Sequence, residues 1–146
     1  MRVELRDAPF DPLAAVADYQ TGLEQRLRGR YGALALFIGT MRDFNDGDPV
    51  RGMTLEHYPG MTERQLERIV ATAFRDGPLL DALVLHRVGF LQPNDPIVLV
   101  AVWATHRAEA FTACRFIMEE LKSNAPFWKR EETAAGPRWV AHNTPG

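Results

Sequence analysis

The chain has 146 residues, of which 46% are hydrophobic and 25% charged, and its formal net charge is −2. This length and composition predict one globular domain over residues 1–146, able to form an apolar core without metals or disulfides. The mildly acidic balance argues against a broad basic surface for nucleic acid or membrane, so any anion site must be a local cluster of cations.

The N-terminal segment predicts a strand followed by a helix. Residues 2–6 alternate between apolar and polar side chains, which is typical of a short strand. Asp11 is a good helix N-cap and Pro12 suits the first helical position. We therefore expect a helix from this point to about Tyr19.

The middle of the chain predicts two strands and a helix. Residues 33–38 are apolar on both faces and indicate a central buried strand, and residues 52–58 indicate a second strand. A polar loop rich in turn formers separates them, so we expect the two strands to pair as a long-looped hairpin. Thr62 and Gln65 match a capping box, which predicts a helix that ends at Gly77.

The rest of the chain predicts four strands and one long helix. The strands are expected at 82–88, 97–104, 127–131 and 138–140, and the helix at 107–122, where apolar residues recur at helical spacing. Strands joined by turns and mixed with helices favour an α+β fold with a largely antiparallel sheet. A parallel doubly wound fold is less consistent with strand-to-strand links that carry no helix.

The sequence lacks the common catalytic and metal-binding motifs. It has no Gly-rich phosphate loop, Gly-x-Ser-x-Gly, zinc-ligand spacing or HExxH. We therefore predict neither a metal nor a cofactor. It also has no window of roughly 18 apolar residues and no signal-peptide pattern, so we expect no membrane association.

The single cysteine, Cys114, carries two expectations. It cannot form an internal disulfide, which favours a reducing compartment and hence a cytoplasmic protein. It also lies on the apolar stripe of its predicted helix, where a thiol is a core residue more often than a nucleophile. If the protein handles sulfur, we expect that it does not carry the sulfur itself.

The most informative segment is residues 121–131, which places Lys122 and Lys129 around a helix end, a proline and two aromatic residues. Because Lys129 directly follows Phe127 and Trp128, it is anchored beside side chains that favour burial. Held cations suit an anionic substrate or a developing negative charge. Each lysine also has a structural interpretation, since one can compensate a helix dipole and the other can protect an edge strand.

Two further clusters of cations stand where chemistry is common. Arg42 follows a buried strand at the start of a polar loop, although it can equally be a solvated arginine. His106 and Arg107 stand at the predicted N-terminus of the long helix, where backbone N–H groups and the helix dipole favour a phosphate. The alternative is that Thr105 caps the helix and His106 only satisfies a backbone group.

Taken together, these residues resemble the large, catalytic subunit of molybdopterin synthase, the MoaE family. The matching blocks, in order and at compatible spacing, are FIGTMR (37–42), LEHYPGMT (55–62), HRVG (86–89), ATHR (104–107), FIMEELK (116–122), APFWKRE (125–131) and RWV (138–140).

The resemblance implies an α/β-hammerhead-like fold with two or three packed helices, and it implies a reaction. The substrate would be cyclic pyranopterin monophosphate. A small ubiquitin-like carrier subunit would bring sulfur as a C-terminal thiocarboxylate, and two transfers would make the dithiolene of molybdopterin. The assembly would be a heterotetramer, formed by a homodimer of this chain and two carriers.

The resemblance also implies roles for particular residues. Lys122 and Lys129 would be catalytic. The substrate would be bound by these two lysines together with Thr40, Met41, Arg42, His106, Arg107, Arg130 and Glu131. Arginine suits phosphate oxygens and lysine can stabilise an oxyanion. Crowding by Arg42, Arg107 and Arg130 is expected to favour the neutral form of one lysine and so allow proton transfer.

The predicted helix places His106 and Lys122 at opposite ends, roughly 24 Å apart at 1.5 Å per residue. Within one chain they cannot both hold one small substrate. We therefore expect a two-fold dimer with shared active sites, in which His106 and Arg107 reach the Lys122 and Lys129 of the other copy, with Arg42 as a further candidate to do so. We expect the carrier's tail to enter as an extended segment, with Phe127 and Trp128 as candidates to line its groove.

Two other classes of function remain open at this point. One is a non-catalytic dimeric module that holds a phosphorylated metabolite or a partner's C-terminal tail. It would tolerate arginine in place of Lys122, whereas a site that transfers protons would not. The other is a nucleic-acid binder, which the net charge disfavours.

Overall fold

The computed structural model of the chain describes residues 1–45 and 47–140, which form three helices and nine strands. In chain order the elements are β1 (Arg2–Arg6), α1 (Pro12–Leu27), β2 (Ala33–Thr40), β3 (Phe44–Asn45), β4 (Asp48–His57), α2 (Met61–Asp76), β5 (Leu79–Arg87), β6 (Gly89–Leu91), β7 (Pro96–Ala104), α3 (Arg107–Asn124), β8 (Phe127–Thr133) and β9 (Gly136–Trp139).

The first sheet has the strand order β1-β5-β7-β2 and is covered by helices on both faces. Only the β1–β5 pair is parallel, so the sheet is mostly antiparallel. Alternate residues of β7 explain the layers: Val100 and Val102 pack with α2 and α3, whereas Leu99 and Trp103 pack with α1. Because helices cover both faces of its sheet, β7 is apolar throughout.

The second sheet joins β3, β4, β8 and β9 in that order, with the short strand β6 paired to β4. All of its pairs are antiparallel. A small apolar cluster supports it, formed by Met41, Val50, Met53, Leu55 and Leu91. The α+β class with a largely antiparallel arrangement and three packed helices is therefore confirmed.

The predicted hairpin between residues 33–38 and 52–58 is wrong, because the two strands lie in different sheets. β2 pairs with β7, from Ala33 opposite Ala104 onwards, and β4 pairs with β8 and β6. Burial of apolar faces decides strand pairing, and β7 offers β2 an apolar neighbour along its whole length. Adjacency in the sequence was the weaker signal.

Two helix boundaries also differ from expectation. Helix α1 begins as predicted, with Oδ1 of Asp11 accepting from the backbone N–H groups of Leu13 and Ala14, but it continues to Leu27. Its second half is helical because Leu23 and Leu27 lie on the face that packs against the first sheet.

The capping box proposed for Thr62 and Gln65 is wrong. The N-cap of α2 is Gly60, whose N–H donates to Oε2 of Glu63 at 2.7 Å. Gly60 has a φ of 82°, a conformation in which glycine carries little strain. Thr62 is fully buried and its Oγ1 accepts from the N–H of Tyr58.

No helix in the described ranges, 1–45 and 47–140, is long and apolar enough to cross a bilayer.

Candidate functional site

A cleft of about 830 Å³ opens between the edge strand β2, helix α3 and the start of β8. Both sheets contribute to its wall, since His86 comes from β5 in the first sheet and Met53 from β4 in the second. Most of the wall is apolar, and a small number of charged groups converge in it. A concave, largely apolar cleft with a few convergent polar groups is the usual form of a small-molecule site.

The two lysines singled out in the sequence meet in this cleft. Lys122 lies in the last turn of α3, Lys129 is the third residue of β8, and both line the cleft close enough for the charge of one to act on the other. Ala125 and Pro126 make the short connection that turns the chain from helix to strand. These are the only two lysines in the sequence, against fifteen arginines. A chain that uses arginine elsewhere thus places both of its primary side-chain amines in one cleft.

Burial and, next to it, the neighbouring charge of Lys122 lower the pKa of Lys129 to about 8, while Glu131 opposes the shift. Both effects disfavour the ammonium form, by desolvation and by like-charge repulsion. A lowered lysine pKa agrees with our expectation, although within one chain its causes are burial and Lys122 rather than arginines. An amine with a pKa near neutral can exchange a proton at physiological pH.

The segment 40–42 forms one rim of the cleft, as the sequence led us to expect. Thr40, Met41 and Arg42 all line it, with Arg42 exposed and Met41 buried. Reciprocal backbone hydrogen bonds hold the segment: the N–H of Met41 donates to the carbonyl of Asp95, and the N–H of Asn94 donates to the carbonyl of Met41. The turn at 93–96 thereby fixes where the Arg42 guanidinium can reach.

Four predicted site residues do not line the cleft of their own chain. His106 and Arg107 are exposed at the N-terminus of α3, where His106 is the N-cap but makes no side-chain capping bond. Arg130 lies on the opposite face of β8, with its Nε 3.3 Å from Oε1 of Glu132. Glu131 is buried on the same face as Lys129 and lies 3.6 Å from Arg138.

The two aromatic residues that precede Lys129 point to opposite faces of β8, because side chains alternate along a strand. Phe127 lines the cleft, whereas Trp128 points to the other face, is 40% exposed and packs edge-on against Tyr58. Of the two candidates to line the groove, only Phe127 does so in this chain.

The structure adds cleft residues that the sequence reasoning did not single out. Phe111, Arg115 and Met118 are spaced three and four residues apart, so they lie on the face of α3 that ends at Lys122. Arg115 is 3.8 Å from Glu119, which also lines the cleft. Tracing the face of the helix back from Lys122 would have found them.

His86, which the sequence analysis names only as part of a matching block, is the most consequential addition. It lines the cleft, is only 7% exposed and stacks on Phe127 with ring centroids 4.0 Å apart. Burial, together with the charges of Lys129, Lys122 and His57, lowers its pKa to about 4. The ring is therefore neutral at physiological pH.

Cys114 also borders the cleft, and its environment supports the expected core role. The residue is buried and burial raises the pKa of its thiol to about 11, so the reactive thiolate is disfavoured. Among the described residues there is no group of three or more His, Cys, Asp and Glu side chains arranged to hold a metal ion.

Comparison with known proteins covers most of the chain. Residues 5–124 match the family described as MoaE protein. A curated relative from Ralstonia nicotianae, named "Molybdopterin synthase catalytic subunit", is 56% identical over 138 residues, which cover 94% of this chain and 76% of that protein.

Solved structures agree with this match. The structure described as "Molybdopterin biosynthesis MoaE protein from Burkholderia ambifaria MC40-6" is 48% identical, with a TM-score of 0.79 over 99% of this chain and 92% of that chain. A complex of subunits 1 and 2 of the molybdopterin-converting factor from Helicobacter pylori 26695 includes a chain with the same fold. That chain has a TM-score of 0.78 at 18% identity, over 97% of this chain and 92% of that one.

Proposed function

The chain belongs to the MoaE protein family, and we propose that it acts as the catalytic subunit of a molybdopterin synthase. In this role it transfers sulfur from the thiocarboxylated tail of a small ubiquitin-like carrier to cyclic pyranopterin monophosphate and so generates the dithiolene. The observation that carries the proposal is the lysine pair, which places the only two lysines of the chain together in one cleft. The names of close relatives and the solved complex of two subunits support the reaction and the carrier.

We propose distinct roles for the two ends of the cleft. The ammonium of Lys122 stabilises negative charge on the thiocarboxylate and on the oxyanion that forms when its carbonyl is attacked. Lys129, held close to its neutral form, exchanges a proton with the reacting groups. Arg42 and Thr40 at the rim are placed to bind substrate, and arginine suits the phosphate through its planar fork. The carboxylate of Glu131, on the same face of β8, raises the pKa of Lys129 and so limits its shift.

Sharing of the site between two copies is part of the proposal. Helix α3 is unbroken from Arg107 to Asn124, so His106 and Lys122 are separated along it by roughly 24 Å. The exposed His106 and Arg107 then serve the cleft of the second copy of a homodimer, and two carriers complete a heterotetramer. Arg130 is turned away from its own cleft, so its proposed binding role is also toward the second copy or the carrier.

The carrier's tail is proposed to enter along β2, which is an edge strand of the first sheet. Leu36 and Phe37 on this strand line the cleft and are 40% and 41% exposed. An extended tail can add to such an edge through backbone hydrogen bonds. Because both sheets build the cleft, we treat residues 1–146 as one catalytic domain, and we propose that it works in the reducing cytoplasm, in keeping with the unpaired Cys114.

The reaction is tested by incubating the protein with cyclic pyranopterin monophosphate and a thiocarboxylated carrier, and by detecting the dithiolene product. We expect product only when all three components are present, with two carriers consumed for each dithiolene. A protein that binds both components without forming product would instead be a binding module.

We predict that the rate of sulfur transfer rises with pH around a midpoint of about 8, the pKa of Lys129. Because that pKa lies below the usual lysine value, the amine form grows as the pH passes upward through it, and only this form accepts a proton. Initial rates between about pH 6 and 9.5 measure this limb. Replacing Lys129 by arginine, which stays protonated, should remove it, and an unchanged limb in that variant would contradict the assignment.

A further inference from the structure

The tautomer of His86 is fixed by the backbone beside it. Its Nδ1 lies 2.8 Å from the carbonyl oxygen of Arg87. A carbonyl can only accept, so Nδ1 carries the proton and donates it. In a neutral ring the other nitrogen, Nε2, must then hold a lone pair. The ring lines the cleft, so it can offer the cleft an acceptor and no donor.

The same ring joins the two sheets at the point where the lysines meet. His86 lies near the end of β5 in the first sheet, and its stacking partner Phe127 opens β8 in the second. The rings are almost parallel, with 13° between their planes and 4.0 Å between centroids. Phe127 and Lys129 share one face of β8, so a ring that fixes Phe127 also fixes the strand that carries Lys129.

The lysines and the ring also interact electrostatically. Burial is the main cause of the low pKa of His86, and the charges of Lys129 and Lys122 add to it. A protonated ring at this position would be a third cation and would repel the two ammonium groups. A neutral acceptor has the opposite effect, because a lone pair that receives an N–H bond favours the charged form of a lysine.

We propose that His86 is a positioning residue for the lysine pair: its neutral ring holds the start of β8 by stacking on Phe127, and its Nε2 accepts a hydrogen bond from an ammonium group of the pair. The effect on catalysis rests on the proposed sulfur transfer. The effect on the lysines themselves does not, and it can be measured without substrate.

The test uses the full-length chain with isotopically labelled lysine, which gives only two sets of side-chain signals because the sequence has two lysines. Their titration is followed by NMR in the wild type, in His86→Phe, which keeps an aromatic ring but has no acceptor, and in His86→Gln, which restores an acceptor near the position of Nε2. We expect His86→Phe to lower the pKa of Lys129 by ~0.5–1 and His86→Gln to recover part of the shift.

Turnover with the thiocarboxylated carrier provides the second measurement. We expect His86→Phe to move the rising limb of the pH profile to lower pH with the pKa of Lys129. The kcat on the plateau above that limb should fall by about tenfold with little change in KM, because the lysine amine is no longer held in place, and His86→Gln should recover part of both effects. The inference is wrong if His86→Phe leaves the acid dissociation constant of the lysine and kcat both within twofold of wild type. His86 is then only a core residue.

A measurement on the wild type covers the case in which a variant fails to fold. Labelling histidine with ¹⁵N reports the tautomer directly, and we expect a proton on Nδ1 and a bare Nε2 for one buried ring throughout pH 5–8. The opposite tautomer, or a protonated ring, would overturn the inference. If the wild type makes no dithiolene, the proposed function fails while the two NMR measurements still decide the role of His86.

Discussion

Replacement of Lys122 by alanine is expected to reduce dithiolene formation by at least about a hundredfold, the loss typical of a missing acid–base or charge-stabilising group. Two effects combine in this variant. The cleft loses the ammonium that faces the thiocarboxylate, and Lys129 loses the neighbouring charge that helps to lower its pKa. Lys129 then stays protonated to higher pH, so less of the neutral amine is present at physiological pH.

Carrier binding should survive in the same variant, because most of the cleft wall is apolar and remains in place. Single-turnover product formation and carrier affinity, measured in parallel, separate the two effects. Lys122→Arg keeps the positive charge and should restore part of the activity that Lys122→Ala loses, whereas Lys129→Arg cannot release a proton and should leave a proton-transferring site impaired but a binding module intact.

A matched control for the Lys122 variant is Arg75→Ala. Both residues are the basic side chain in the last turn of a helix, but Arg75 is exposed on α2, pairs with Asp76 and does not line the cleft. Near-normal turnover in Arg75→Ala excludes simple loss of helix-dipole compensation as the cause. Wild-type turnover in Lys122→Ala would contradict the proposed role of Lys122.

The sequence could predict those parts of the molecule that depend on local pattern. The strands at β1, β5 and β7 and the long helix α3 follow from alternation, from apolar runs and from helical spacing, and the structure has them within a few residues. The lysine pair could be singled out for a similar reason, because the helix end and Pro126 bring two lysines close in sequence and then close in space. These are short-range relationships that a single sequence contains.

What the sequence could not give depended on how the two sheets meet. The strand β2 was assigned to a hairpin with β4, and with that pairing there is no cleft between β2 and β8. His86 is then predicted to be an ordinary strand residue, because the contact with Phe127 that places it in the cleft joins strands from different sheets. Its role depends on that contact, so neither its spacing nor its residue type was sufficient to reveal it.

The second large effect is expected in mixed dimers of inactive variants. A dimer that combines a His106→Ala subunit with a Lys122→Ala subunit should regain about half of wild-type activity. If sites are shared, one site of this dimer collects both substitutions and the other has neither. Freely mixed subunits, of which half form such dimers, should show about a quarter of wild-type activity. Dimers purified through two different affinity tags, one on each subunit, give the cleaner measurement.

The converse arrangement makes the experiment decisive. When both substitutions are placed in one subunit and paired with a wild-type subunit, shared sites each receive one substitution and the dimer should be inactive. Sites confined to single chains would leave the wild-type subunit working at half activity. The length of α3, 18 residues, is the physical reason to expect sharing. A straight helix of that length keeps His106 and Lys122 of one chain too far apart to contact the same substrate molecule. Activity in the second dimer with none in the first would place each site within one chain and contradict sharing.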